Sequence, residues 1–181
     1  MAKRALFPHP TSPLTTFEVA AKLMLVGSNT LKLEFVVVGA VENILIPQPA
    51  MPERADGLWQ HSCFEMFIGL KNGAYVEFNF SPSGQWAHYR FDSYRAGMAD
   101  AFDLPAPVIN WESDAQMRLM LTATIDVSGL RDTMNWTFGL SSILETRSET
   151  KTYWALAHPD GAPDFHHSDC FALKLTAPET L

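Results

Sequence analysis

Short β-type runs separated by turn residues fill almost the whole sequence, and apolar residues almost nowhere recur at a helical spacing. Leu23-Met24-Leu25-Val26, then Gly27-Ser28-Asn29, then Leu31 to Val38 predicts a hairpin. A polar loop carrying Pro47, Pro49 and Pro52 follows. Cys63 to Ile68 and Tyr75 to Phe80 alternate on either side of Lys71-Asn72-Gly73, and Gln85 to Phe91 forms the next run after Ser81-Pro82-Ser83-Gly84. Further strands are expected at Val108–Trp111, Arg118–Val127, Trp136–Leu144, Tyr153–Ala157 and Phe171–Leu175, with Ser93–Phe102 as a short helix or a loop. About nine strands without a βαβ rhythm predict an all-β fold, an antiparallel β-sandwich with at most one or two short helices. No repeat or low-complexity tract divides the chain, so residues 1–181 are expected to form a single ligand-binding domain.

Register sharpens the prediction for the central strands. A two-residue Asn72-Gly73 turn would oppose Glu65 to Phe80 and mix polar with apolar residues on both faces. A three-residue loop, Lys71–Gly73, pairs Leu70 with Ala74, Met66 with Phe78 and Phe64 with Phe80, which is clean and therefore preferred. A four-residue loop at Ser81–Gly84 then sets Glu77 opposite His88, Asn79 opposite Trp86 and Tyr75 opposite Arg90. One face would carry Phe64, Met66, Ile68, Val76, Phe78, Phe80, Tyr89 and Phe91 as core. The other would gather Glu65, Phe67, Tyr75, Glu77, Asn79, Trp86, His88 and Arg90.

That second face can be the solvated outside of a sandwich, where cross-strand pairs each contribute a few tenths of a kcal/mol. Its rings argue for more, because aromatic side chains beside planar hydrogen-bonding groups suit a sugar, stacked on its C–H face and bonded at its hydroxyls. Glu65 and Glu77 also have the residue types of a glycosidase acid/base pair, a chemistry that needs two carboxylates across a cleft. No nucleophile elbow, P-loop or dinucleotide fingerprint accompanies them, so an enzyme is not expected. The six histidines lack metal-ligand spacing, and adjacent His166 and His167 would point to opposite faces of a strand.

Composition narrows the partners. With 13 Lys+Arg against 20 Asp+Glu the net charge is −7, which repels phosphate backbones, and no basic stripe offsets it; nucleic acid is not expected as a partner. A 47% hydrophobic content supports a core without disulfides or structural metal, and Cys63 and Cys170 are expected to be buried thiols. No apolar stretch reaches the ~18 residues of a membrane helix, and none precedes the prolines near the N-terminus; the expected location is the cytoplasm, unless a signal segment has been removed.

The segment Leu58-Trp59-Gln60-His61-Ser62-Cys63-Phe64-Glu65-Met66-Phe67-Ile68, followed by Tyr75-Val76-Glu77-Phe78-Asn79-Phe80-Ser81-Pro82-Ser83-Gly84-Gln85-Trp86, resembles the DOMON-like superfamily. It is most similar to the branch related to family 9 carbohydrate-binding modules. Tyr153-Trp154-Ala155-Leu156-Ala157-His158-Pro159 and Asp164-Phe165-His166-His167 look like the distal part of the same stand-alone bacterial group. The resemblance covers residues 55–95 well, 150–175 moderately and the remainder by strand pattern. It implies a β-sandwich in which two tryptophans enclose a terminal sugar while a glutamate, an arginine and an asparagine bond its hydroxyls. Trp59 then matches the first aromatic and Glu65 the carboxylate. Arg90 is the guanidinium by its place on the predicted face, and Trp154, with Trp86 in reserve, is the second aromatic. Other branches of the superfamily hold haem between Met and His, for which Met98 and His167 are available here. The expectation is non-catalytic binding of a small saccharide through Trp59, Glu65, Glu77, Asn79, Trp86, His88, Arg90 and Trp154, without a cofactor. The rivals are a haem-carrying redox domain, a module that binds a protein partner, and a glycoside hydrolase.

Overall fold

A computed structural model of the chain describes residues 2–114, 117–130 and 136–175. It contains strands β1 (Ala2–Pro8), β2 (Phe17–Val26), β3 (Thr30–Gly39), β4 (Cys63–Gly69), β5 (Tyr75–Phe80) and β6 (Trp86–Phe91). These are followed by β7 (Ala99–Asp100), β8 (Val108–Ser113), β9 (Arg118–Asp126), β10 (Thr137–Glu145), β11 (Lys151–Ala155) and β12 (Leu173–Lys174). The described residues hold no α-helix, only single 3-10 turns such as Leu58–Gln60. Ser93–Phe102 is a turn closed between Ser93 and Ala96, followed by the short β7.

All strand pairs are antiparallel, in the order β7-β6-β5-β4-β10-β11-β1-β2-β3-β9-β8, with β12 beside β10. This curled sheet makes the two layers of an antiparallel β-sandwich. Strand β1 joins them: Ala2–Leu6 pair with β2, and Phe7 and Pro8 pair with β11. The layer of β2, β3, β8 and β9 turns Leu23, Leu31, Leu33, Phe35, Leu121 and Ile125 inward, as their period of two requires. Against them stand Phe64, Met66, Ile68, Val76, Phe78, Phe80, Phe138 and Leu140 of the other layer. The rings of Phe35 and Phe64 meet across the sandwich at 5.0 Å. Each such ring or aliphatic chain, fully buried, contributes about 1.5–3 kcal/mol of transfer free energy.

The predicted hairpin over Lys71–Gly73 forms as expected, pairing Phe64 with Phe80 and Met66 with Phe78. Asn72 and Gly73 take the left-handed conformation at φ 60° and 79°, and Leu70 N–H donates to Ala74 at 2.8 Å. Cys63 and Cys170 are buried free thiols.

The next connection departs from expectation. It holds five residues, Ser81–Gln85, so that Phe80 pairs with Trp86, Phe78 with His88, Glu77 with Tyr89 and Tyr75 with Phe91. A β-turn accounts for four of them, with Gly84 N–H donating to the Ser81 carbonyl. The extra residue is held by Ser81 N–H donating to the Gln85 carbonyl at 3.0 Å, by a 2.8 Å bond between the Ser83 and Ser81 hydroxyls, and by Gly84 at φ 94°. One added residue turns every side chain of β6 over. Trp86, His88 and Arg90 therefore share the inner face with Phe78 and Phe80, while Tyr89 and Phe91 stand on the outer face with Glu65 and Glu77.

That outer face is not solvated. Every residue of β4 and β5 is buried, because the segments around residues 54–60, 92–98 and 156–172 lie over it. Phe67, Tyr75, Tyr89, Phe91, Ile143, Ala155 and Phe165 form a second apolar cluster there.

Candidate functional site

Strand pairing sets the outer face out in rows. One row runs Ala87, Asn79, Glu65, Ser141, Ala155; the next runs Tyr89, Glu77, Phe67, Gly139. Glu65 and Glu77 are thus diagonal neighbours on adjacent strands, a geometry that separates backbones by about 7–8 Å and leaves the carboxylates within reach of each other. Both are buried, at 3% and 6% exposure. Glu65 Oε2 accepts from the Ser141 hydroxyl at 3.1 Å, and Glu77 Oε1 accepts from Asn79 Nδ2 at 2.7 Å. Asn79 Oδ1 in turn accepts from the Cys63 thiol at 3.6 Å. Burial and then the neighbouring Glu77 push Glu65 up to about 8, and burial raises Glu77 as well.

One end of the face is closed by the segment carrying Phe165, His166 and Phe171. Phe171 stacks on Phe67 with ring centres 5.7 Å apart. It can approach because the cross-strand partner of Phe67 is Gly139, where a Cβ would lie 2.9 Å from the Phe171 ring. Tyr75 stacks on Phe91 at 4.6 Å, and its hydroxyl lies 2.8 Å from His166 Nδ1 while accepting from the Arg95 backbone N–H at 3.2 Å. The tyrosine proton then goes to Nδ1, and the proton of the neutral imidazole sits on Nε2, which faces Glu77 Oε2 at 3.8 Å. Burial, and the Arg95 charge after it, depress His166 to about 4, which keeps the ring neutral. Arg95 pairs with Asp164 at 2.8 Å, tying the residue 95 loop to the closing segment. On the other side Tyr89 donates to Asp56 at 2.6 Å, and Arg54 pairs with Asp56 at 2.9 Å above the Tyr89 ring.

What these loops leave open is a pocket of about 710 Å³. Glu65, Glu77, Tyr89, Phe91 and Ile143 line it from the sheet, with Tyr153 from β11. Trp59, half exposed on its 3-10 turn, Met98, Phe165, His166, Arg95, Asp56 and Lys151 complete the wall. A volume of several hundred Å³, with several aromatic rings in its wall and a few inward polar groups, has the form of a small-molecule site.

Among the residues expected from sequence, Trp59, Glu65 and Glu77 line this pocket. Asn79 lies beneath it and orients Glu77. The turned-over β6 takes three of the other four away. Trp86 stacks on buried His88 at 4.6 Å, and Arg90 forms a two-point ion pair with Asp103 at 3.2 and 2.5 Å. Trp154 is in the sandwich core against Phe17, with its indole N–H donating to Thr152 at 2.9 Å. Its neighbour Tyr153, one residue along β11, takes the outward position instead. Tyr89, Phe91, Arg95, Tyr153 and Phe165 join the site without having been picked out from sequence. The Met98 and His167 pair does not converge: Met98 lines the pocket, whereas His167 lies in a separate groove with Tyr94 and Asp169. The pocket histidine, His166, is already engaged by Tyr75 and faces a carboxylate, so these residues do not fit an axial Met/His haem site.

No family model matches the chain, and no curated relative does. Solved structures do. A proposed carbohydrate-binding protein from Bacteroides uniformis superposes with a TM-score of 0.62 at 13% identity, covering 93% of this chain and 83% of that one. A family 9 carbohydrate-binding module from Caldicellulosiruptor kristjanssonii, in complex with cellotriose, superposes with a TM-score of 0.50 at 14% identity, covering 88% and 74%. The chain has the β-sandwich fold of such modules.

Proposed function

We propose that this protein binds a small saccharide or sugar-like molecule in the outer-face pocket and does not transform it. The observation that carries the reading is the pairing of two buried carboxylates on the pocket floor with aromatic walls formed by Trp59, Tyr89, Phe91, Tyr153 and Phe165. Trp59 and Tyr153 stack on the sugar ring, and Glu65, Glu77 and Arg95 bond its hydroxyls. Asn79 holds Glu77 in place. The fold shared with a module solved around cellotriose supports this assignment, and the DOMON-like resemblance is proposed on the same ground.

Binding rather than hydrolysis is favoured by the placement of the carboxylates. Glu65 and Glu77 lie side by side on one wall, whereas a glycosidase pair flanks the scissile bond.

Titration of tryptophan fluorescence with a panel of mono- and disaccharides tests the proposal. A saturable change is expected, weakened at least tenfold in Trp59→Ala, about 1.4 kcal/mol or more for an aromatic anchor. Arg90→Ala, on the opposite face, is expected to bind within twofold of the parent. Equal losses in both variants would move the site to the other face, and no response to any sugar would overturn the reading. A Soret band in the purified protein would favour haem instead.

A further inference from the structure

Among the described residues, no lysine or arginine is in ion-pair contact with the two carboxylates on the pocket floor. The ion pairs of the described residues give Glu77 only the neutral His166, at 3.8 Å, and give Glu65 none. Arg95, the guanidinium in the wall, is bound to Asp164 and acts on Glu77 only from a distance, and Lys151 lies in the pocket wall without an ion pair to either glutamate. Each carboxylate has one protein donor, Ser141 on Glu65 Oε2 and Asn79 on Glu77 Oε1; the second oxygens have none among the described hydrogen bonds. A neutral hydroxyl can serve one of these oxygens, but it leaves two acids side by side that cannot both ionise cheaply. An ammonium group carries three donors and a charge, enough to satisfy both acids at once. The rings of Tyr89, Tyr153, Trp59 and Phe91 around it suit a cation as well as a sugar face.

We propose that the preferred ligand is an amino sugar, or another small polyol bearing a primary amine, whose ammonium sits between Glu65 and Glu77. This rests on the saccharide-binding reading for the body of the ligand, and on the two carboxylates alone for its charge. Binding would discharge the proton the pair retains. The other titratable groups facing the pair are Cys63 on β4, Tyr75 on β5, Tyr89 on β6, Lys151 on β11 and His166 on the closing segment, with Arg95 and Asp56 in the loops. The Cys63 thiol and the Tyr75 and Tyr89 hydroxyls are held protonated by burial, so near neutral pH the released proton comes from the carboxylates.

Calorimetric titration with glucosamine, glucose, N-acetylglucosamine and tris(hydroxymethyl)aminomethane, in two buffers of different ionisation enthalpy at pH 7, tests the inference. Glucosamine is expected to bind at least tenfold tighter than glucose and N-acetylglucosamine, with net proton release. Glu65→Gln and Glu77→Gln are each expected to bring that ratio below threefold. Glucose or N-acetylglucosamine binding as tightly as glucosamine would overturn the inference and leave saccharide binding standing. A preference that survives both variants would also overturn it. Binding of the aminopolyol without any sugar would sustain the ammonium site and remove the saccharide reading. Silence from all four probes would overturn both.

Discussion

Replacing Phe67 by alanine is expected to destabilise the protein by about 3–5 kcal/mol, the usual range for a fully buried phenylalanine. For a chain of this size that lowers Tm by roughly 6–20 °C. The reason is its position between two structures. Phe67 belongs to β4 by its backbone, but its ring is covered by Phe171, Tyr75 and His166, all on the site face. Removing it leaves a cavity under the closing segment, and hydrogen exchange of residues 164–171 is expected to accelerate more than that of β2 and β3. The opposite perturbation tests the same seam. In Gly139→Val the new Cβ would lie 2.9 Å from Phe171 and 3.3 Å from Phe67, so the closing segment must move outward, at about 1–3 kcal/mol for overpacking. Thermal unfolding and exchange of the two variants decide the matter. A Phe67→Ala loss below about 1 kcal/mol, or unchanged exchange over 164–171, would show that the segment is not seated on the sheet as described.

The dependence of the site on a cover explains which parts of it could be read from sequence. Strand positions were legible because period-two runs and turn residues are local signals, and the Lys71–Gly73 hairpin was fixed by rows of phenylalanine that only one register aligns. The register of β6 was argued in the same way and came out one residue off. Hydrophobic matching fixes a register only where one face is buried and the other is wet. Here β5 is buried on both, so Tyr89 and Phe91 are as well housed under the loops as they would be in the core. Alternation then carries no sign. The deciding information was the serine network of the five-residue loop, too weak a pattern to outweigh hydrophobic matching beforehand. Trp154 and Tyr153 show the same ambiguity on β11, where adjacent aromatics face opposite ways. Arg95 and Phe165 come from loops, and no strand pattern could aim them.

Stability of the ligand-free protein is expected to fall as pH rises from about 6.5 to 8, and Glu65→Gln is expected to flatten that fall. Glu65 titrates near 8 in the folded protein and near its ordinary 4.5 when unfolded. Between those values the folded state holds a proton that the unfolded chain has released, so raising the pH favours unfolding; below 4.5 the contribution is fully present. Glu77, also raised, acts in the same direction. His166 opposes them lower down: depressed to about 4, it stays neutral when folded but takes up a proton when unfolded below its ordinary 6.5. Its contribution therefore grows as pH rises from 4 to 6.5. The two effects offset each other between about pH 4.5 and 6.5, which flattens the dependence there and leaves the carboxylate limb alone above it. At about 1.4 kcal/mol per pKa unit, that limb amounts to several kcal/mol at most, since water reaching the pocket floor reduces it. Glutamine keeps the shape of Glu65 and its bond with Ser141 but cannot ionise. In thermal melts at pH 6.5 and 8.5, the Tm difference of the variant is expected to be less than half that of the parent. At pH 8.5 the variant is expected to be the more stable of the two by several degrees. A parent whose Tm holds steady or rises between pH 6.5 and 8.5 would mean that both carboxylates ionise freely. The pocket would then be open enough to water for the charge argument behind its ligand to lose its basis.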